Sequence, residues 1–536
     1  MLSAPNIKQP SVMAHNFSNV PTISTQRSAF KRDFRHLTTF DAGYLIPIFF
    51  KSVLPGDTVD LNMNFFARLA TPLFPIMDNL HIDSQFFYIP ERLTQTNFVK
   101  LMGERDNPAD SIDFSTAITT SPATVGHAEG SLYDYFNVPT GIPDLDHRNV
   151  MGRCYNLTYN EHYRDQNLQD SVVVDLDDGP DDPTDYVLLK RGKRHDYFTS
   201  CLPWAQKGDA VQVPLGTTAP VVSTGTTIGL TETASPTTEH DMLVGTGGSS
   251  NLNWSGTAPG SATSVAYHAN FDSLETDLAT ATAASINDQR LAFQTQVYLE
   301  RDARSGTRYI EMVYAHFGVT VPDYRPNRPE YLGGSSSVVN FHAVPQTSND
   351  GTNGSVGQLS AFATASEQGG RHGFKKSFVE HGWIMGLVSL RADLTYQQGL
   401  DRDYSRRTRF DFYSPEFAHL GEQPVLKQEI MAQGSLDTTD ADTFGFQEAW
   451  AEMRYSNSVI SGAFRSNAAT PLDAWHASIE FSAVPALNAA FIEESPPIDR
   501  LIKTPSEPHV IFDSYFNFNH VRPMPTHSVP GLIDHF

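Results

Sequence analysis

From Asp57 to Leu69 apolar side chains fall on every second position. Val59, Leu61, Met63, Phe65, Ala67 and Leu69 alternate with Thr58, Asp60, Asn62, Asn64 and Arg68, and only Phe66 breaks the period. A period of two is what a strand with one buried and one wet face requires, and it excludes a helix over the same residues. The pattern recurs. Leu80 to Ile89 is extended in character and ends at Pro90. Trp475, Ala477, Ile479, Phe481 and Ala483 alternate with His476, Ser478, Glu480 and Ser482, and Val510, Phe512, Ser514, Phe516 and Phe518 form a last series. Phe378 to Tyr396 is apolar on both faces, with Trp383, Met385 and Leu387 against Ile384, Val388 and Leu390, as expected of a central strand covered on both sides. Helical signals are few: Asn156 to Gln169, and a helix from the Ser285/Asp288 start to about Ala303, with Gly306 beyond it. Tyr309 to Val321 is expected as strand, Leu332 to Gly373 as a long Ser/Gly/Asn-rich loop, and residues 103–150 as loop. Many strands, long loops and few helices point to an antiparallel sandwich of the jelly-roll kind.

A second feature bounds the domain plan. From Gly208 to Gln289 there is no lysine or arginine, while Asp209, Glu232, Glu239, Asp241, Asp272, Glu275, Asp277 and Asp288 are present. Gly, Ala, Ser and Thr make up most of this tract, a composition that buries little apolar surface. It is an excursion from one fold rather than a core of its own. The plan is an N-terminal arm over 1–40, a first part of the sandwich over 41–210, a surface insertion over 211–285, and a second part over 286–536 with an extended tail. At 536 residues the chain exceeds the usual single core, yet no linker divides it, so the excess length is assigned to loops.

Charge narrows the partners. Lys plus Arg total 38 against 61 Asp plus Glu, a net charge of −23. Such a surface opposes broad nucleic-acid binding and leaves any DNA contact local or delegated to a basic partner. Arg27, Phe30, Lys31, Arg32, Phe34 and Arg35 mix cations with aromatics, a pairing that neutralises phosphates and stacks on bases. The same residues equally suit an arm that docks on a neighbouring surface through ion pairs. Arg402, Arg406, Arg407 and Arg409 form a second basic group, where Asp401, Asp403 and Asp411 favour ion pairs between subunits.

Signals for chemistry are weak. Cys154 and Cys201 form neither a Cys-x-x-Cys pair nor a disulfide framework, and 19 histidines lack metal-ligand spacing. There is no Gly-x-Ser-x-Gly elbow, phosphate loop or His-Glu-x-x-His helix. The run Glu161-His162-Tyr163-Arg164-Asp165 is read as tying a short helix to its neighbours. The acids from Asp175 to Asp185 lack EF-hand spacing and are expected to form a solvated turn, with Lys190, Arg191, Lys193 and Arg194 as partners. No catalytic residue, metal or cofactor is assigned. The rival class, a β-sandwich protein that binds or hydrolyses glycans, needs a cleft with two carboxyls about 5–10 Å apart. The first residues carry no secretory signal, and no apolar run approaches the roughly 18 residues of a membrane span.

A series of motifs carries a resemblance: Asp41-Ala42-Gly43-Tyr44-Leu45-Ile46-Pro47, Leu54-Pro55-Gly56-Asp57, Ala67-Arg68-Leu69-Ala70-Thr71-Pro72, Phe74-Pro75-Ile76-Met77-Asp78-Asn79, Arg164-Asp165-Gln166-Asn167-Leu168 and Glu300-Arg301-Asp302-Ala303-Arg304. Arg328-Pro329-Glu330-Tyr331-Leu332-Gly333-Gly334, Arg391-Ala392-Asp393-Leu394-Thr395-Tyr396-Gln397-Gln398-Gly399, Arg522-Pro523-Met524-Pro525 and Val529-Pro530-Gly531-Leu532-Ile533-Asp534 complete it. In number and order these resemble the major capsid proteins of gokushoviruses, single-stranded DNA bacteriophages of the Microviridae. The resemblance is weak in 103–150 and absent from most of 208–285. It implies an all-β, eight-stranded antiparallel jelly-roll β-sandwich with long insertions and a few short helices. It also implies a structural, non-enzymatic protein of the virion that assembles in the bacterial host cytoplasm into a T=1 icosahedral shell around circular single-stranded DNA. The partners it implies are further copies of the chain, an internal scaffolding protein, a DNA pilot protein and a small basic DNA-binding protein. The cation-free tract sits where an insertion projecting at the three-fold axes belongs. There Trp254, Tyr267 and Phe271 are expected to pack copies from three subunits, and contact with a host receptor is expected.

Overall fold

The computed structural model describes residues 26–208 (except 106 and 112), 211, 221–223, 229–232, 235–244, 252–254, 267–269, 274–276, 286–304, 315, 326–347, 356–357, 359–366, 372–434 and 438–527. Within these the chain is mostly strand, in antiparallel sheets, with few helices. It divides into two compact units. One comprises residues 1–205, 307–314 and 318–536; the other comprises 206–306 and 315–317.

The larger unit is built on two sheets. Numbering only their strands, these are β1 (Ser28–Lys31), β2 (Phe34–Phe40), β3 (Ile46–Val53), β4 (Thr58–Leu69), β5 (Leu80–Pro90), β6 (Glu330–Val338), β7 (Asn340–Pro345), β8 (Leu359–Ser366), β9 (Gly373–Ser377), β10 (Gly382–Ala392) and β11 (Val510–Arg522). The seven-stranded sheet has β1 and β2 on β11, β11 on β4, β4 on both β8 and β9, and β8 on β7. The four-stranded sheet runs β6–β5–β10–β3. The alternation in β4 and β11 is realised: Leu61, Met63, Phe512, Phe516 and Phe518 are fully buried between the sheets, while Phe66 points outward and is 52% exposed. Each such buried side chain contributes about 1.5–3 kcal/mol. The core seam also takes Phe49, whose ring meets Phe86, Phe516 and Phe518.

β10 is buried on both faces, as its composition requires. One face joins the core between the sheets. On the other, Met385 and Leu387, with Phe87 and Ile89 of β5, meet Val150, Cys154, Tyr155 and Tyr159 of a helix, Val150–His162. That helix begins and ends earlier than the expected Asn156–Gln169. Its apolar stripe starts at Val150, and after His162 the backbone turns, with Arg164 Nη1 donating to the Gln169 carbonyl.

Two other expectations are corrected, and the expected N-terminal arm gains a seat. Its described part is extended, and β1 and β2 hydrogen-bond along β11, from Ser28 opposite Arg522 to Phe40 opposite Val510. Leu332–Gly373 contains most of β6 and all of β7 and β8 rather than one long loop. The run Gly333–Ser337 lies in a strand, and its glycines meet crowded neighbours. A Cβ on Gly334 would collide with the Ser84 carbonyl, and Ala361, Ala363 and Ala365 supply the buried face of β8. Trp475–Ala483 is not a strand. His476, Ala477 and Ser478 are buried in succession, which defeats alternation. Side chains satisfy this backbone instead: Gln398 accepts from Phe481 N and donates to its carbonyl, both at 2.8 Å, and Asp78 accepts from Ala477 N at 3.0 Å. Gln398→Leu is therefore expected to cost about 1–3 kcal/mol, since both main-chain groups of Phe481 lose their partner. Denaturant unfolding checks this, and an unchanged midpoint would count against it. The expected strand Tyr309–Val321 lies outside the described residues apart from residue 315.

In the smaller unit, Val221–Ser223 pairs with Leu274–Thr276. Gly229–Glu232 pairs with Ser235–Val244 and Tyr267–Ala269, and Ser235–Val244 also pairs with Leu252–Trp254. A helix spans Ile286–Arg304, close to the expected limits; Ser285 and Gly306 lie outside the described residues.

Candidate nucleic-acid and subunit interfaces

The sequence places a basic-aromatic group at the start of the chain, and pairing with β11 sorts it by face. Lys31, Arg32 and Arg35 are exposed. Phe34 points inward and stacks on Phe516 at 4.9 Å and Phe49 at 5.8 Å, so its ring belongs to the core edge and not to a base-stacking surface. Phe30 is half-buried on the same strand face as Ser28. Arg35 grips Asp513 with two hydrogen bonds, 2.7 and 2.6 Å, and Lys31 pairs with Asp33 at 3.1 Å. Arg27 donates to the Gly56 carbonyl at 2.6 Å and to Thr58 Oγ1 at 2.8 Å.

Beside this face lies a buried network that composition did not reveal. Asp57 is fully buried, and its Oδ2 accepts from Leu54 N (2.8 Å), His520 Nε2 (2.7 Å) and Arg522 Nε (3.0 Å). Arg32 Nη1 lies 3.3 Å from His520 Nδ1. Burial, then the Arg522 charge, lowers the Arg32 pKa against the pull of Asp57, and burial also lowers that of His520. Lys51, from β3, stands over the Phe34 ring at 5.1 Å, with its pKa lowered by burial and then by Arg32. Neither Lys51 nor Arg522 belongs to the basic run, so spacing alone could not join them to it.

The second basic group divides, with Arg402 and Arg406 turned partly inward. Arg402 donates to Glu429 at 2.9 Å and to the Pro424 carbonyl at 2.8 Å, and lies 3.9 Å from Glu452; Arg406 donates to Glu452 at 3.2 Å. Glu429 and Glu452 line a cavity of about 280 Å³. The two acids are not a free pair of the kind a glycan hydrolase needs, because Arg402 bridges them. Burial raises the Glu429 pKa. Arg407 and Arg409 are exposed, and Arg409 stands 4.7 Å from the Phe410 ring. Around them Tyr404, Phe410, Phe412 and Tyr413 are also exposed. Of the insertion candidates, Trp254 and Tyr267 fall on the short strands of the smaller unit, while Phe271 lies outside the described residues.

The acidic run from Asp175 to Asp185 is corrected in part. Asp177, Asp182 and Asp185 are exposed, as expected of a solvated turn, but Asp181 is buried, and its partner is not the Lys190–Arg194 group. Arg153, 1% exposed at its side chain, donates to Asp181 through Nε (2.8 Å) and Nη2 (2.5 Å), and to the Thr94 (2.9 Å) and Asp177 (2.7 Å) carbonyls through Nη1. The expected partners go elsewhere: Lys190 to Ser495, Arg191 to Asp83, Lys193 to the Phe491 carbonyl and Arg194 to Asp393. The Glu161–Asp165 run is a tie, as read: His162 Nε2 meets the Pro329 carbonyl at 2.6 Å and Tyr163 donates to Gln85.

The motif Arg391–Gly399 gains a physical meaning. Arg391 binds Asp83, Asp393 meets Arg194 and Asn79, and Tyr396 donates to Asp196 at 2.6 Å. Gln397 and Gln398 hold the 466–481 loops, and a Cβ at position 399 would strike the Glu429 carbonyl. These contacts clamp β10 to β5 and to the loops around them.

A family model described as "Capsid protein (F protein)" matches residues 18–532. Capsid protein VP1 of Bdellovibrio phage phiMH2K is 43% identical over 533 residues, covering 97% of this chain and 98% of that protein. Capsid protein VP1 of Chlamydia phage 1 is 40% identical, covering 98% and 99%. Capsid protein VP1 of Spiroplasma virus 4 is 33% identical, covering 97% of each. A match of this length and completeness makes the chain a member of the F-protein family of phage capsid proteins, a virion structural protein and not an enzyme.

Proposed function

We propose that this capsid protein closes into a T=1 icosahedral shell around a circular single-stranded DNA genome, using an eight-stranded jelly roll as its wall. The observation that carries the fold reading is nested pairing. If β1 and β2 count as one strand, β8 and β9 as another, and β7 as an added edge hairpin strand, eight strands remain. First pairs with last (β2–β11), second with seventh (β3–β10), third with sixth (β4–β8/β9) and fourth with fifth (β5–β6). A long antiparallel ribbon rolled into two sheets has this order. Such a sandwich holds one shape while its loops vary, which suits a repeated wall unit. The Arg27–Arg35 face supports contact with packaged DNA, and the exposed Arg407, Arg409 and aromatic loop supports contact between subunits. The smaller unit is read as the outward projection that meets the host. An acidic subunit suits a small basic DNA-binding partner, alongside scaffolding and pilot proteins.

Electron microscopy of particles from cells making the chain with its scaffolding partner tests this reading. Uniform small icosahedra of sixty copies, the number T=1 symmetry requires, are the expected result. Open sheets, tubes or larger shells would reject it.

A further inference from the structure

At the corner where β2 and β3 approach, three cations are crowded beside one carboxylate that is already committed. Lys51 lies over Phe34, Arg32 lies 5.5 Å over the Phe518 ring, and Arg522 reaches from Asp57 to the Ser52 carbonyl at 3.1 Å. Arg32 depresses the ionisation of Lys51, and Arg522 that of Arg32, so their charges feel one another. Asp57 is fully buried and its Oδ2 already accepts three hydrogen bonds. Among the described residues Lys51 has no carboxylate within ion-pair distance. The two aromatic faces hold the cations in place at modest gain. The neighbouring Lys31 and Arg35 differ, since Asp33 and Asp513 already neutralise them.

We propose that Lys51 and Arg32, backed by Arg522, form a clamp for a backbone phosphate of single-stranded DNA. It rests on the reading that this face meets packaged DNA, and it selects among the cations: Lys51 and Arg32, with no carboxylate at ion-pair distance among the described residues, bind, Arg522 adds its charge beside them while held by Asp57, and Lys31 and Arg35, each paired with its own aspartate, do not bind. A phosphate offers Arg32 two acceptor oxygens for its fork and Lys51 a point charge, and it relieves the repulsion among the three. No base is read at the clamp, which fits a shell that must accept any stretch of its genome.

The test measures binding of the full-length chain to a short oligothymidylate across a salt series. Lys51→Gln and Arg32→Gln are each expected to weaken binding severalfold at low salt. Each should flatten the dependence of log K on log salt by about 0.7, the contribution of one phosphate contact on a single strand. Lys31→Gln and Arg35→Gln are expected to leave that slope unchanged. Thermal unfolding keeps the comparison fair: Lys51→Gln should fold at least as stably as the parent, because it removes a desolvated charge with no described acidic partner. Inorganic phosphate, exchanged for chloride at equal ionic strength, separates the two sources of phosphate. Stabilisation by free phosphate without oligonucleotide binding would overturn the assignment to DNA. A flattened slope in Lys31→Gln or Arg35→Gln, with Lys51→Gln unchanged, would overturn the clamp and leave the DNA-facing reading intact. Oligonucleotide binding absent from the parent chain would overturn both.

Discussion

Replacing Arg153 with methionine is expected to cost about 3–5 kcal/mol, a large fraction of the roughly 5–15 kcal/mol that holds a typical domain folded. All five guanidinium donor positions are used: Nε and Nη2 on Asp181, Nη1 on the Thr94 and Asp177 carbonyls, and Nη2 again on Asp177 Oδ1 at 3.2 Å. Asn149 adds a bond to Asp181 at 2.6 Å. The group ties the helix Val150–His162, which covers the outer face of β5 and β10, to the 94–97 and 175–185 segments. Methionine would fill much of the volume but leave the Asp181 carboxylate buried without its cation. Most of the loss is that uncompensated charge, so the double variant Arg153→Met/Asp181→Asn should recover part of it. Arg153→Lys should recover little, because an ammonium with three donors cannot serve the five acceptors that the guanidinium fork reaches. Denaturant unfolding of the three variants checks the ordering. A double variant no more stable than Arg153→Met would show that the loss comes from the helix contacts instead.

Arg153 also marks where legibility ends. Period-two alternation located β4 and β11, and apolarity on both faces located β10, because those strands bury large side chains against large side chains. The strands within 332–373 escaped the same reading. Their buried positions are Ala361, Ala363, Ala365 and Ser337, and Gly333 and Gly334 lie too close to β9 and β5 for a Cβ; small residues carry no hydrophobic period. Trp475–Ala483 misled in the opposite sense: it alternates, but side chains from Asp78 and Gln398 satisfy its backbone. The basic group at Arg27–Arg35 was visible as a run, yet neutralisation by Asp33 and Asp513 is set by strand pairing. The additions of Lys51 and Arg522 are also tertiary. Arg153 itself carries a signal in the sequence. It is the only cation in the otherwise largely apolar stretch Val150–Leu157, and a charge there implies a buried partner.

Exchanging Leu215–Ala284 for a short Gly-Ser linker is expected to leave shell assembly intact and to reduce adsorption to host cells sharply. The first half follows from where the core lies. Among the described residues, the three buried apolar clusters of the larger unit are built from the segments 34–201 and 332–518. Its strands pair with one another, and the helix Ile286–Arg304 lies beyond the cut. Extra loop length costs little entropy, so shortening it gains or loses little stability. The second half follows from composition. A stretch without a single cation is poorly suited to lie against DNA, and one rich in small polar residues suits solvent. Within it Trp254, Tyr267 and Phe271 offer the large apolar surfaces from which neighbouring copies can build a small cluster, or with which they can meet a receptor. Two measurements separate these roles. Particle yield by sedimentation reports assembly, and binding of labelled particles to host cells reports adsorption. Intact particles that still adsorb normally would reject the receptor role, while loss of particles would show that the segment holds subunits together and is not an appendage of the finished shell.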